Sequence, residues 1–232
     1  MVVVIPAHNE ERRIGACLAS VAQSVATLRR ERPRVSVELV VVLDRCTDRT
    51  SSAARGAHLL VVDVGRVGAA RRAGVELART LTADIDPGRV LVVNTDADGT
   101  VPASWLPDLV TLVSDHDVVL GEVEPDPAEM DAASLEAWWL AHPRGRGSLH
   151  GANLAVRLDA YLRAGGFPDL SEQEDLLLVR ALRATGASVV GGTRITTSAR
   201  RTGRVRRGFA GYLRDLDREL ANRSSLVDGS VR

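Results

Sequence analysis

The sequence predicts an α/β fold, a mainly parallel central sheet with helices on both faces. Three observations predict it. Apolar, strand-like runs recur at Val2 to Ile5, Val35 to Leu43, His58 to Val64, Val90 to Val93, Val118 to Val123 and Leu149 to Val156. Helical stretches rich in arginine and alanine separate the early runs. The first four runs each give way to a polar loop: Ala7-His-Asn-Glu10, Asp44-Arg-Cys-Thr-Asp48, Gly65-Arg-Val-Gly68 and Asn94-Thr-Asp-Ala-Asp98. Strands alternating with helices pair in parallel, and continuous apolar runs need cover on both faces. Their polar ends then gather at one edge, where open α/β sheets bind ligands. With 232 residues and 45% hydrophobic content the chain can bury a full core, and no repeat or low-complexity linker divides it, so one domain is expected.

In the first loop Asn9 can cap the following helix while Glu10 and Glu11 complement its dipole. Equally, Pro6 and Ala7 can lie along a nucleobase while Glu10 accepts from a ribose, and the two readings are compatible. The second run ends in Asp44. Thr47 or Asp48 suffices to cap the next helix, which leaves Asp44 either to accept an N–H from a base or to stand as a solvated loop acid. The third loop continues as Gly65-Arg-Val-Gly68-Ala-Ala-Arg71-Arg72-Ala-Gly74. It is neither a Walker A loop nor Gly-x-Gly-x-x-Gly, yet it puts glycines and arginines at a helix N-terminus, a place for phosphate oxygens. The fourth run ends in Asp96 and Asp98. Asp-x-Asp puts both carboxylates on one side of an extended chain, where they suit Mg2+ or Mn2+ or, alternatively, a turn that caps the next helix.

Beyond these strands the character changes. Glu122 to Gly147 reads as an excursion beside the sheet, with Pro125, Pro127 and a helix-like Asp131 to Ala141 carrying Trp138 and Trp139. At least one of those tryptophans is expected in core, and the pair can alternatively stack on an acceptor. The glycines of His150-Gly-Ala-Asn153 and Gly165-Gly-Phe-Pro168 allow close approach to a ligand or serve ordinary turns. Ser171-Glu-Gln-Glu174-Asp175 opens a helix, with Ser171 and Glu174 spaced for a capping box. Asp175 is not needed for that box and is the candidate general base, unless it only complements the helix dipole. Leu176 to Arg214 holds no acid, while Arg194, Arg200, Arg201, Arg204, Arg206 and Arg207 cluster there, either closing over a diphosphate or forming a solvated basic turn. Leu216 to Arg232 reads as a helix with a frayed tail.

Composition narrows the chemistry. Thirty acids balance 30 bases, so no global field favours nucleic acid or anionic membrane. Every base is arginine, which excludes Schiff-base and lysine-nucleophile chemistry. Cys17 and Cys46 have neither zinc nor disulfide-framework spacing. No signal peptide is legible, and no run approaches the roughly 18 to 20 apolar residues of a membrane span, so the expected location is the cytoplasm. Oligomeric state stays open.

Taken together, Val4-Ile-Pro-Ala-His-Asn-Glu10, Asp44 with Asp48, Gly68 with Arg71 or Arg72, Asp96-Ala-Asp98, Gly151-Ala-Asn153, Gly165-Gly-Phe167 and Glu174-Asp175 resemble, in order and spacing over roughly residues 2 to 185, the family 2 glycosyltransferases of GT-A fold. The resemblance implies one GT-A (Rossmann-like) domain over 1–232, with a nucleotide-sugar-binding half at 1–99, an acceptor-binding half at 100–215 and a C-terminal helix and tail at 216–232. It implies a UDP- or GDP-sugar donor, an acceptor hydroxyl and a Mg2+ or Mn2+ ion. Pro6, Ala7, Glu10 and Asp44 would contact the nucleoside, Gly68 with Arg71 or Arg72 the base or diphosphate, and Asp96 the ribose, sugar or metal. Asp98 would ligate the metal. Gly151, Ala152, Asn153 and Glu174 would line the acceptor site, Asp175 would be the base of an inverting transfer, and Arg200 and Arg204 would share the diphosphate charge.

The sequence departs from that pattern in having no histidine after His150, where several relatives complete the metal shell, and in lacking the Gln-x-x-Arg-Trp element and membrane spans of processive synthases. A single-transfer enzyme is therefore expected, although retaining enzymes share the architecture. A nucleotidyltransferase would need a basic, glycine-rich loop after the first strand, where Ala7 to Glu11 is acidic. A regulatory or scaffold protein on the same fold would have shed the reactive acids, yet Asp96, Asp98 and Asp175 are present.

Overall fold

The computed structural model describes residues 1–143, 151–170, 173–203 and 208–229, the side chains of 223–229 excepted. In chain order the elements are β1 (Val2–Ala7), α1 (Ile14–Glu31), β2 (Glu38–Asp44), α2 (Thr50–Ala53), β3 (His58–Val62), α3 (Val67–Leu81), β4 (Leu91–Thr95), β5 (Gly99–Thr100), α4 (Trp105–Leu112), β6 (Val118–Pro125), α5 (Ala132–Ala141), β7 (Asn153–Arg157), α6 (Leu158–Arg163), α7 (Glu174–Ala184), β8 (Val189–Thr197) and α8 (Phe209–Gly229). The chain divides into two compact units, Met1–Glu124 with Gly147–Thr196, and Pro125–Arg146 with Thr197–Arg232.

The sheet runs in the order β3-β2-β1-β4-β7-β6-β8-β5. β1 lies between β2 and β4, and β3 joins β2, all in parallel. Their C-terminal ends therefore share one edge, with Ala7 beside Leu43 and Asp44 beside Val62. β7 reverses direction against both β4 and β6, which sets Thr95 opposite Asn153 at that edge. This is the expected α/β sheet, parallel in its first half and mixed in its second.

Burial follows from the apolar runs. Val2 to Ile5, Val40 to Val42 and Val92 to Val93 are fully buried. Alternation sends Val2, Val4, Val40, Val42 and Val92 to one face, against Ala70, Val75 and Ala78 of α3 and Leu178 and Leu182 of α7. Gly74 lets α3 sit close, because a Cβ there would run into Val4 and Val42. On α1, Ile14, Cys17, Val21, Val25 and Leu28 form a helical stripe of buried residues. The buried Ser24 hydroxyl accepts the Leu106 N–H at 2.9 Å and ties α1 to the start of α4.

Several elements differ from expectation. β2 starts at Glu38, after Pro33, and β7 at Asn153. α4, β5 and β8 were not foreseen. β8 carries Gly191 and Gly192 among polar residues, and its apolar signal is too weak to read alone. α8 begins at Phe209, right after Gly208, well before Leu216.

In the second unit α5 and α8 enclose Trp138, Leu213 and Leu216, with Ala199 beside them. Trp138, 2% exposed, is a core residue and stacks on His142 at 3.7 Å. Asp131 caps α5 by accepting the Ser134 N–H at 2.9 Å, and Asp217 pairs with Arg201 at 2.9 Å.

Candidate active site

The loops after β1 and β2 are stitched together by side chains. Asn9 accepts the Thr47 N–H (2.8 Å), Thr50 Oγ1 accepts the Glu10 N–H (2.8 Å), Asp48 accepts the Glu11 N–H (3.0 Å) and Glu11 accepts the Arg49 N–H (3.0 Å). Asn9 is therefore a loop staple and not the cap of α1, whose N-cap is Arg13. Among the described residues the non-glycine positive φ values are Asn9 (55°), Arg45 (55°) and Gln173 (63°), located at the ends of β1 and β2 and just before α7. Backbone strain collects at sites where the surrounding structure holds it, and here it marks this rim.

Asp44 is fully buried, and its Oδ1 accepts the N–H groups of Val64 (3.0 Å) and Gly65 (2.9 Å). His8 Nδ1 donates to the Asp44 carbonyl at 2.7 Å. Asp44 thus shapes the loop after β3. Pro6 and Ala7, expected along a base, are buried in β1, and the Ala7 carbonyl accepts from Cys46 Sγ at 3.4 Å. Glu10 is 7% exposed.

Asp96 and Asp98 follow β4 at the same edge. Cys17, buried on α1, donates through Sγ to the Asp96 carbonyl at 3.4 Å. Burial, followed by the charges of Asp98, Asp96 and Glu10, pushes its thiol up to about 12.

The centre of the site is a buried ionic cluster. Arg71, on the inner stripe of α3 with Val75 and Ala78, donates through Nη2 to Asp96 Oδ1 and through Nη1 to Glu174 Oε1, both at 2.7 Å. Burial disfavours its charge, but Asp96 and then Glu174 outweigh that and hold Arg71 above its ordinary value. Burial pushes the Glu174 carboxyl up, and Arg71 opposes the shift. Next in sequence, Asp175 accepts the Gly151 N–H at 2.8 Å through Oδ2 and the Leu176 N–H at 2.7 Å through Oδ1. Two glycines make room: a Cβ on Gly151 would strike the Arg71 guanidinium, and one on Gly68 would come within 2.6 Å of Glu174 Cγ.

The structure therefore gathers Arg71, Asp96, Gly68, Gly151, Glu174 and Asp175, and corrects several assignments. Glu174 is the first residue of α7 and pairs with Arg71, so it does not turn back in a capping box; Ser171 lies outside the described residues. Asn153, expected to face an acceptor, is 3% exposed. Its amide donates to the Glu122 and Thr193 carbonyls (2.9 and 2.7 Å) and accepts from Trp105 Nε1 (3.0 Å), which fixes the second half of the sheet. Ala152 is 8% exposed beside it, and Arg72 points to solvent. Arg200 belongs to the second unit, and Arg204 lies outside the described residues. The Arg71–Glu174 pair spans 103 residues and was not foreseen, although one sign was available: Arg71 interrupts the apolar stripe of α3.

Among the described residues no three His, Cys, Asp or Glu side chains are grouped to hold a metal. Asp96 and Asp98 nevertheless suit a hard cation that takes one or two carboxylates and completes its shell with phosphate oxygens and water.

A parallel sheet half with its acids and strained loops at the C-terminal rim, continued by an antiparallel strand, defines the GT-A class of α/β proteins. The chain belongs to glycosyl transferase family 2, whose model matches residues 2–150. It is 34% identical over 125 residues to the dolichyl-phosphate hexose transferase of Haloferax volcanii, a match covering 53% of this chain and 47% of that protein. The chain thus spans about half the length of this curated relative. Among solved structures it is similar to S. aureus TarS (TM-score 0.62, 17% identity, 85% of this chain and 36% of that one). It is also similar to the glucosyl-3-phosphoglycerate synthase of Mycobacterium tuberculosis, solved with Mn2+, UDP and phosphoglyceric acid (TM-score 0.52, 22% identity, 84% and 68%). No helix among the described residues is long and apolar enough to cross a membrane.

Proposed function

We propose that the protein transfers a hexose from a UDP- or GDP-sugar to an acceptor, with Asp98 and Asp96 holding a divalent cation and Asp175 acting as general base. The observation that carries this reading is the cluster joining Asp96 at the end of β4 to Glu174 and Asp175 at the start of α7 through Arg71. In this reading Asp96, as a candidate cation ligand, and Asp175, as the candidate base, share one rim. Family membership and the Mn2+ and UDP bound by the mycobacterial neighbour support its coarser part, a nucleotide-sugar-dependent transfer with a divalent cation.

In this scheme the acceptor O–H gives its proton to Asp175, the oxygen bonds to the anomeric carbon, and the bond from that carbon to the diphosphate breaks, with inversion. Asp98 and Asp96 would hold a Mg2+ or Mn2+ ion, which when bound would supply charge neutralisation to the departing diphosphate. Glu10 and the strained loops after β1 and β2 form the nucleoside end, and the Gly151 backbone forms part of the acceptor end. The acid-rich loop at 7–11 disfavours a triphosphate there, and with it a nucleotidyltransferase. Two of the three similar proteins named above point to phosphate-bearing acceptors, dolichyl phosphate and phosphoglyceric acid. They differ in what they ask of Asp175: a hydroxyl needs a base, whereas a phosphate oxygen is already ionised.

Calorimetry with UDP, GDP and CDP, each with and without Mn2+, tests the reading on the native chain and on Asp98→Ala. One diphosphate binding tightly, strengthened by Mn2+ only when Asp98 is present, is the expected result. Absence of binding to all three would refute it. Asp175→Asn is expected to abolish transfer to a hydroxyl acceptor while leaving donor binding intact.

A further inference from the structure

We infer that Arg71 is a positioning residue, which locks Asp96 and the first turn of α7 into one ionic unit and makes no contact with the donor. Its side chain is 4% exposed, and its two terminal nitrogens each face a carboxylate at 2.7 Å. The remaining guanidinium nitrogen, Nε, is buried and has no hydrogen-bond partner. The N–H groups not used in these two pairs are buried with the side chain, which leaves the guanidinium closed to a phosphate at the rim. The pocket around it is built for this contact: Gly151 presses on the guanidinium and Gly68 on the Glu174 stem, and any larger residue at either position would force the pair apart.

The two partners are unequal. The Glu174 side chain is 7% exposed and that of Asp96 is 35% exposed. Glu174 therefore serves as a buried counter-ion, while Asp96 is the member that opens to the rim. With Oδ1 held by Arg71, Asp96 keeps Oδ2 for a cation or a sugar hydroxyl. The adjoining Asp175 is fixed through the Gly151 N–H. One arginine thus connects the cation end of the site to the base end, and its loss frees both.

The positioning role extends the transferase reading and is tested apart from it. Arg71→Met alone would strand Glu174 as an unpaired buried charge, so the informative variant is the double Arg71→Met/Glu174→Met, because apolar replacement of a whole buried ion pair is often tolerated. Arg71→Lys is the conservative comparison. Mn2+ is titrated into each chain without nucleotide by electron paramagnetic resonance. UDP binding in EDTA, kcat and KM are then measured, with thermal melting as the control for folding. The double variant is expected to melt near the native temperature and bind UDP in EDTA normally. Its half-saturating Mn2+ should rise, and its kcat fall, by about 10- to 100-fold, the usual cost of losing a group that orients a metal ligand. Arg71→Lys should fall between the two, and it carries the test if the double variant does not fold. A folded variant with Mn2+ response and kcat within about twofold of native would overturn the inference. Weakened UDP binding in EDTA with an unchanged Mn2+ response would also overturn it, by making Arg71 a diphosphate contact. Failure of the native chain to bind UDP would count against the transferase reading, and the nucleotide-free Mn2+ titration would still decide the role of Arg71.

Discussion

Replacing Asn153 by alanine removes a side chain that makes three hydrogen bonds, a buried one with the Trp105 indole N–H and two half-buried ones to the Glu122 and Thr193 carbonyls. Trp105 is fully buried, so water does not rescue its N–H. A net hydrogen bond contributes about 0.5–1.5 kcal/mol, and a polar group left buried and unpaired costs about 1–3 kcal/mol. The two lost bonds to carbonyls and the stranded indole N–H together predict a loss of about 2–6 kcal/mol. For a chain of this size each kcal/mol lowers Tm by about 2–4 °C, so the melting temperature should fall by about 4–24 °C. Asn153→Asp should be no milder, because a carboxylate cannot donate to the two carbonyls it would face. Urea denaturation followed by far-UV circular dichroism measures the loss, and the Trp105 indole N–H resonance reports the broken bond directly. A loss below about 1 kcal/mol together with a raised acceptor KM would refute the structural role and return Asn153 to the acceptor site.

Gly74→Ala sets helix propensity against packing. Alanine gains about 1 kcal/mol within a helix, but its Cβ would lie 2.9 Å from Val42 Cγ2 and closer still to Val4, and overpacking costs about 1–3 kcal/mol. A net destabilisation is expected in urea titration, and a stabilised variant would show that α3 does not pack this tightly on the sheet. In the second unit, hydrogen bonding from Arg201 holds the Asp217 carboxyl below its ordinary 3.8 despite partial burial. A folded-state value below the unfolded one means that this contribution is present above pH 3.8 and is lost as pH falls through the folded value. Acid titration of tryptophan fluorescence should therefore show a transition below pH 3.8 in the native chain that Asp217→Asn flattens.

Much of the first half of the fold was legible because β1, β2 and β4 are largely buried on both faces and read as unbroken runs of branched apolar residues, as at Val2 to Ile5 and Leu39 to Leu43. β8, partly exposed and interrupted by two glycines, has no such run, and its place in the sheet is set by contacts such as that of Gly192 with Val119. Within the site, the rim position of Asp96 and Asp98 followed from the run that precedes them. The roles of Asn9, Asn153 and Glu174 did not, because short polar side chains suit a cap, a turn or a ligand equally well until the partner is known. Local pattern thus determined the fold class, the strands that carry the site and the acids at their ends, since periodicity and burial act over a few residues. Only the tertiary structure decided which acid meets Arg71, because that pairing closes a loop of 103 residues and depends on two glycines, Gly68 in the first turn of α3 and Gly151 ahead of β7, that make room for it.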